Sequence, residues 1–479
     1  MNTLNLLETN DFPTSNINVN QVTIVTLIDS STKELANFKK VTSGTPVADG
    51  IMYLQKDGVL FERDYNGVIN PEWFGPGKTH IELKAAIKAA QVNDTILIRG
   101  QYRCSEQIKI NKALMFLGQN YINGNDVGGN KSSRINFNDF ANDPAIDSCI
   151  EAKASLCIRN LVIFGNSMPG KIGINVINVS KTPDYSLTLD SAVVQNFEIG
   201  VKITEGYYNR FVNSYIGYCP TCLVLDKCYN VFASSLSIRA GYEKSTSLND
   251  KGIVLYNGTN MTMFGGSVES FSDAGISLYS SKISCLGIYF EAANGTDKTS
   301  CIRLMDNNCR SATISCHAYL QNKHASSFVH AVPAVTSAYV YSKNNHFEYE
   351  TEWFVSTYRF EGTNFEEYTI DISGDNYKND LIAGSSYTSI TSASLKKGKG
   401  RIQIVYPSGH ELAGTLLTNL NTASPYQYNA VTDPENGMIT TFANSGYSGD
   451  DGAGLQGTIG YVPYTAVYEN GAWKKIPKL

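Results

Sequence analysis

The sequence predicts an all-β fold whose main body is a parallel β-helix, and three observations carry that reading. A small-apolar-x-apolar run recurs five times: Gly200-Val201-Lys202-Ile203, Cys222-Leu223-Val224-Leu225, Gly252-Ile253-Val254-Leu255, Gly275-Ile276-Ser277-Leu278 and Cys301-Ile302-Arg303-Leu304. Polar residues that open a second run (Asn209, Asn230, Asn260, Lys282 and Arg310) follow one another at 21, 30, 22 and 28 residues, the longer intervals carrying loop insertions. Only one stretch, residues 79–90, has helical periodicity. Phased short strands at such a period mark a wound coil, in which each turn buries alternate side chains and shows the others to solvent.

Composition agrees with a large β-rich surface. The chain has 479 residues, of which 17% are charged, with 40 Gly, 29 Tyr, 20 Phe and only 3 Trp. That length exceeds one ordinary compact core, so a repetitive body or several domains is expected. The net charge of −5 comes without any Lys/Arg run, which argues against nucleic acid, since phosphate binding needs a basic stripe. No apolar segment is long enough to span a bilayer, and the N-terminus lacks the basic and apolar regions of a secretory signal. The 10 cysteines are dispersed, several within strand-like runs such as those at Cys157, Cys285 and Cys316, which suits buried free thiols. Cys219-Pro-Thr-Cys222 with Cys228 lacks a fourth ligand at zinc-site spacing, so neither a metal nor a cofactor is expected.

Residues 1–72 read as a small β neck or attachment region, with runs at 22–28, 51–54 and 59–61 separated by Lys56-Asp57-Gly58 and Tyr65-Asn66-Gly67 turns. The rigid turn Asn70-Pro71-Glu72-Trp73-Phe74-Gly75-Pro76-Gly77 leads into the amphipathic helix, which places Leu83, Ala86, Ile87 and Ala90 on one face. That helix is expected to cover the open end of the coil. The β-helix proper is assigned to 73–365, its repeat fading near residue 346. Residues 366–479 are read as a separate C-terminal β domain for trimerisation or glycan binding, ending in a hairpin at Asn470-Gly471.

Nine residues after each polar anchor lies a column: Tyr218, Arg239, Glu269, Glu291 and Tyr319. Its neighbours Ile238, Val268, Phe290 and Ala318 are apolar and should point inward, so strand alternation turns the column outward. Glu269 and Glu291 would then stand on adjacent rungs, about 4.8 Å apart. Two carboxylates that close are what acid-assisted cleavage of a glycosidic bond uses, near the roughly 5–5.5 Å of a retaining pair. Such crowding splits their proton affinities, giving an acid beside a base or nucleophile. Arg239 lies one rung before Glu269, where it can keep that carboxylate ionised or hold an acidic sugar in a two-pronged contact. Ser267, Tyr289 and His317 form the outward row two residues earlier, so a Tyr and a His flank the pair. The plainer alternative is a surface charge ladder of little energetic worth, although stacking Glu on Glu costs stability. Glu348, Glu350 and Glu352 alternate on a later strand and are candidates for a site between subunits.

Ile69-Asn70-Pro71-Glu72-Trp73-Phe74-Gly75, the capping helix and the long coil together resemble phage tailspike proteins of the pectate-lyase-like superfamily. More narrowly, they resemble the capsule depolymerases of phages that infect encapsulated Gram-negative bacteria. Relatives usually continue with an Ala-x-Gly-Asp-Gly-like stretch where this chain has Pro76-Gly77-Lys78-Thr79, a difference that touches the cap and not the column. The resemblance implies a right-handed parallel β-helix, assembled as a homotrimer, that binds and cleaves bacterial capsular polysaccharide. It implies synthesis in the host cytoplasm and incorporation into the virion tail beside other phage tail or baseplate proteins, with no nucleic acid or membrane partner. The N-terminal region is short for a virion anchor, so attachment through another tail protein is expected. On this reading Glu269 and Glu291 are catalytic, and Arg239, Tyr289, His317, Tyr218 and Tyr319 bind substrate. A lyase, in which Arg239 neutralises a uronate while Tyr289 or His317 takes the α-proton, is the enzymatic alternative. A non-catalytic glycan-binding fibre is the alternative from another class.

Overall fold

The computed structural model describes residues 7–42, 46–119, 132–140, 143–178, 186–242, 247–292, 299–320 and 327–349 except 333 and 336, and beyond 349 only short strands. The chain forms two compact units, Met1–Asn166 with Gly173–Val193, and Ser167–Ile172 with Val194–Leu479.

The N-terminal unit begins with a four-stranded antiparallel sheet in the order Ile24–Ile28, Leu35–Lys40, Val59–Arg63, Tyr53–Lys56. Alternation in these strands puts Val25, Leu27, Phe38, Leu54 and Phe61 around Phe12 in a small core of their own. The Arg63 guanidinium is buried, paired with Asp29 at 2.6 Å and laid 4.3 Å from the centre of the Trp73 ring. Asn70 accepts from the Glu72 amide and opens the 3-10 turn Pro71–Phe74. Thr79 then caps the helix His80–Ala89 in a full capping box with Glu82, and Leu83, Ala86 and Ile87 are buried. Parallel pairing begins at Val68–Ile69 and steps through Thr95–Ile98, Leu114–Gly118, Leu156–Arg159 and Leu187–Asp190.

The second unit is a regular parallel coil with three inward stacks. One runs Val201, Leu223, Ile253, Ile276, Ile302, Val329, in register from rung to rung. Another runs Phe211, Ala233, Met263, Cys285, Thr313. The third runs Ile216, Ile238, Val268, Phe290, Ala318, Phe347, and all six side chains are buried. A single left-handed residue turns the corner into this third sheet: Asn213, Ser235, Gly265, Gly287, Ser315 and Asn344, with φ between 46° and 63°. Gly has no Cβ to meet the following carbonyl in that conformation, and the short polar side chains of Asn and Ser can offset the contact by local hydrogen bonding. On the Gly265 rung the next residue, Gly266, is also left-handed at φ 90°, and a Cβ there would run into the Leu236 carbonyl.

Two boundaries differ from expectation. The coil does not fade near 346: His346–Tyr349 pairs in register with His317–Leu320, and Ser337–Lys343 with Cys309–Ile314. Parallel pairing runs past residue 365, through Glu367–Ser373 and Asn376–Asn379, before antiparallel pairing starts at Ala393–Lys396. Most of the predicted C-terminal domain, including the side chains of Tyr426, Tyr428 and Trp473, lies outside the described residues, as do Glu350 and Glu352.

The cysteines are free, and all but Cys157 are buried. Cys219, Cys222 and Cys228 spend their S–H groups on carbonyls, those of Gly217, Arg239 and Ile203 among them. Burial pushes the Cys228 thiol up to about 12.

Candidate functional site

The third sheet of the second unit presents two outward rows. In the first, Tyr215, Ser237, Ser267, Tyr289, His317 and His346 are successive register partners. In the second, the partners are Gly217, Arg239, Glu269, Glu291, Tyr319 and Glu348. Both rows exist because every strand leaves the left-handed corner at the same phase, so each inward residue (Ile238, Val268, Phe290, Ala318) is flanked by two outward ones.

Glu269 and Glu291 therefore stand on neighbouring strands in direct register, and both are partly exposed. Just beyond them the register slips by one residue, a bulge in which Ser270 is left-handed. A similar bulge corrects the expected column at its other end. Arg239 is in register with Gly217, while Tyr218 is the extra residue, left-handed at φ 55°. Tyr218 reaches the column by another route: its ring lies 5.1 Å from the Arg239 guanidinium, whose Nη1 donates to the phenol oxygen at 3.3 Å. Arg239 is thus held toward Tyr218, with the guanidinium exposed to solvent.

The Tyr289 hydroxyl donates to Glu291 Oε2 at 3.1 Å. Burial, then the charge and hydrogen bond of Glu291 and the charge of Glu269, push the Tyr289 phenol well above its ordinary value. It is a firm donor and holds its proton far above neutral pH. The Tyr289 ring meets the edge of His317 at 5.4 Å, and His317 meets His346 at 5.0 Å. Glu348 Oε1 lies 3.0 Å from His346 Nε2 and 3.4 Å from His317 Nε2. Tyr319 sits between Glu291 and Glu348 in the second row.

Sequence reasoning missed Tyr215 and His346, and placed Glu348 in a separate set of acidic residues. Carrying the spacing one rung further would have found His346 and Glu348, because His346-x-Glu348 occupies the same two positions as Tyr289-x-Glu291, whereas Tyr215 is displaced from the expected position by the bulge at Tyr218. Asp273, a neighbouring carboxylate, is not part of the site: Arg303 binds it from the adjacent rung and Lys251 lies 3.4 Å away. A cleft of about 770 Å³ in the N-terminal unit is lined by Lys84, Lys88, Lys109 and Lys112 together with Glu106 and Asp143.

No protein-family model and no curated protein sequence matches the chain. Among solved structures it is similar to tailspike protein 2 of the Escherichia coli O157:H7 bacteriophage CAB120, with a TM-score of 0.51 and 16% identity over 84% of this chain. The match spans 59% of that protein's length. Also similar are the tailspike of Acinetobacter phage vB_ApiP_P1 (TM-score 0.49, 11% identity, 81% of this chain and 74% of that one) and that of Acinetobacter baumannii phage AM24 (0.45, 12%, 78% and 65%). The fold is that of the parallel β-helix tailspikes.

Proposed function

We propose that this chain is a phage tailspike depolymerase that cleaves bacterial capsular polysaccharide as an endo-glycosidase. The observation that carries the reading is the in-register pair Glu269 and Glu291 on an exposed sheet face. Register partners begin about 4.8 Å apart, which suits the close-pair arrangement of a retaining enzyme. Glu291, accepting from Tyr289, is the nucleophile and then the partner of the glycosyl intermediate. Glu269 is the acid that protonates the leaving oxygen and, in the second step, the base that takes a proton from water. Arg239 on Tyr218, with Tyr289, His317 and Tyr319, lines the outward face on which a glycan would lie, and Arg239 suits an acidic sugar.

The lyase alternative is less well served. Its proton-abstracting group would be Tyr289 or His317, but Tyr289 is a donor whose proton is held tightly. As a tailspike the chain would act as a homotrimer in the virion tail, attached through other tail proteins. The exposed aromatic side chains Phe232, Phe264 and Tyr339 on the second sheet support a face for a further copy of the chain.

Glu269→Gln and Glu291→Gln should each lower depolymerisation of the cognate capsule by about 100-fold or more while the protein stays folded. Full activity in both variants would remove the site assignment. Released oligosaccharides from the wild type should lack the ultraviolet absorbance of an unsaturated uronate, whose appearance would establish the lyase instead. If wild-type protein leaves purified capsule from a bound host intact, the chain is a glycan-binding fibre.

A further inference from the structure

His317, His346 and Glu348 form a group of ligand-type side chains that the carboxylate pair does not use. Their donor atoms all lie within 4.8 Å of one another. The two shorter separations, 3.0 Å and 3.4 Å, both run to Glu348 Oε1. A tetrahedral ion with bonds of about 2.0–2.1 Å to imidazole nitrogen separates its ligands by about 3.3 Å. One ion can therefore touch all three atoms after a small closing movement of the two imidazoles.

The backbone produces this convergence. His317 and His346 are register partners, so the strand spacing of about 4.8 Å sets the imidazoles side by side. Their rings are inclined at 64°, so the nitrogens can converge where stacked rings would keep them parallel. Glu348 is two residues along the His346 strand, hence on the same outward face. The side chains are 41%, 40% and 21% exposed, leaving one side of the group open to solvent. Two imidazoles and a carboxylate with open positions is a donor set for zinc-class divalent ions rather than for calcium or magnesium, which take oxygen.

We propose that His317, His346 and Glu348 are a binding site for a divalent transition-metal ion of the zinc class, open to one further oxygen ligand. The site is one strand from Glu291, through the Tyr289–His317 contact, along the face assigned to the glycan. A bound ion there would take a carboxylate or vicinal hydroxyls of the polysaccharide. That role rests on the depolymerase reading, whereas the ion site itself stands on the three side chains.

The test uses the full chain, freed of metal by chelator, with Zn2+ followed by calorimetry and Co2+ by its visible absorption. Saturable binding of one ion per chain with the spectrum of a four-coordinate ion is expected. His346→Gln, and separately Glu348→Gln, should weaken it by about tenfold or more, with circular dichroism and thermal unfolding confirming the fold. Should His346→Gln fail to fold, Glu348→Gln and His317→Gln decide the matter. Absence of saturable binding, or binding that all three substitutions leave unchanged, overturns the proposal. Glu269→Gln should leave Zn2+ binding unchanged, so failure of the carboxylate pair and failure of the ion site are read independently.

Discussion

Tyr289 joins the two outward rows through its own side chain. It stands in the first row, yet its hydroxyl crosses to Glu291 in the second, and its ring supports His317. Removing that hydroxyl takes a donor from the proposed nucleophile without opening the core, since the inward residue on this strand is Phe290. Tyr289→Phe should therefore lower kcat by about tenfold with little change in melting temperature, in keeping with a hydrogen bond to a charged group. A variant as active as the wild type would make the contact incidental. The facing of Glu269, Glu291, Tyr289 and His317 was legible from sequence, because period-two alternation around Val268 and Phe290 leaves no choice. Tyr218 was not placed correctly, because a one-residue bulge changes the facing of everything beyond it and carries no side-chain signature. Nor did spacing reveal that Arg239 turns to Tyr218, which depends on where a flexible side chain finds an aromatic face.

At the scale of the strand, the corner ahead of each site strand decides whether its outward residues meet their neighbours. Gly265 and Gly266 make that corner before Glu269, and they differ in what a side chain would encounter. At Gly265 a Cβ would stand in open space, so Gly265→Ala carries only the left-handed backbone cost, about 1 kcal/mol. At Gly266 the Cβ would strike the Leu236 carbonyl of the preceding rung, which can yield only by moving the strand. Gly266→Ala should cost more, about 3 kcal/mol, and should also reduce activity by displacing Glu269. Denaturant unfolding of the pair checks the order; equal losses would mean the rung relaxes freely. The helix offers a contrast in legibility. It was readable because Leu83, Ala86, Ile87 and Ala90 recur at helical spacing, a local pattern, whereas the coil's end depends on pairing with strands about thirty residues away.

For the molecule as a whole, the repeat identified the architecture, while loop insertions concealed where it stops. The proposed homotrimer is a claim at this scale. Phe232 and Phe264 lie with ring centres 5.6 Å apart, exposed on the second sheet, where an isolated chain gains nothing from them. Light scattering on the purified protein should give the mass of a trimer, and Phe264→Glu should shift it toward monomer. A trimer indifferent to that charge would place the interface elsewhere.

The corner residues also separate two kinds of information in this chain. Inward letters such as Val268 and Phe290 are read by the rungs above and below, and an error there is felt as lost stability. Outward letters beside them, Glu269 on one strand and Tyr289 and Glu291 on the next, meet solvent and whatever the sheet binds. A lineage under pressure to follow a changing surface sugar could rewrite the outward alphabet one rung at a time, with the coil folding as before. The same grammar would let a second ligand chemistry grow at the next rungs without disturbing the first.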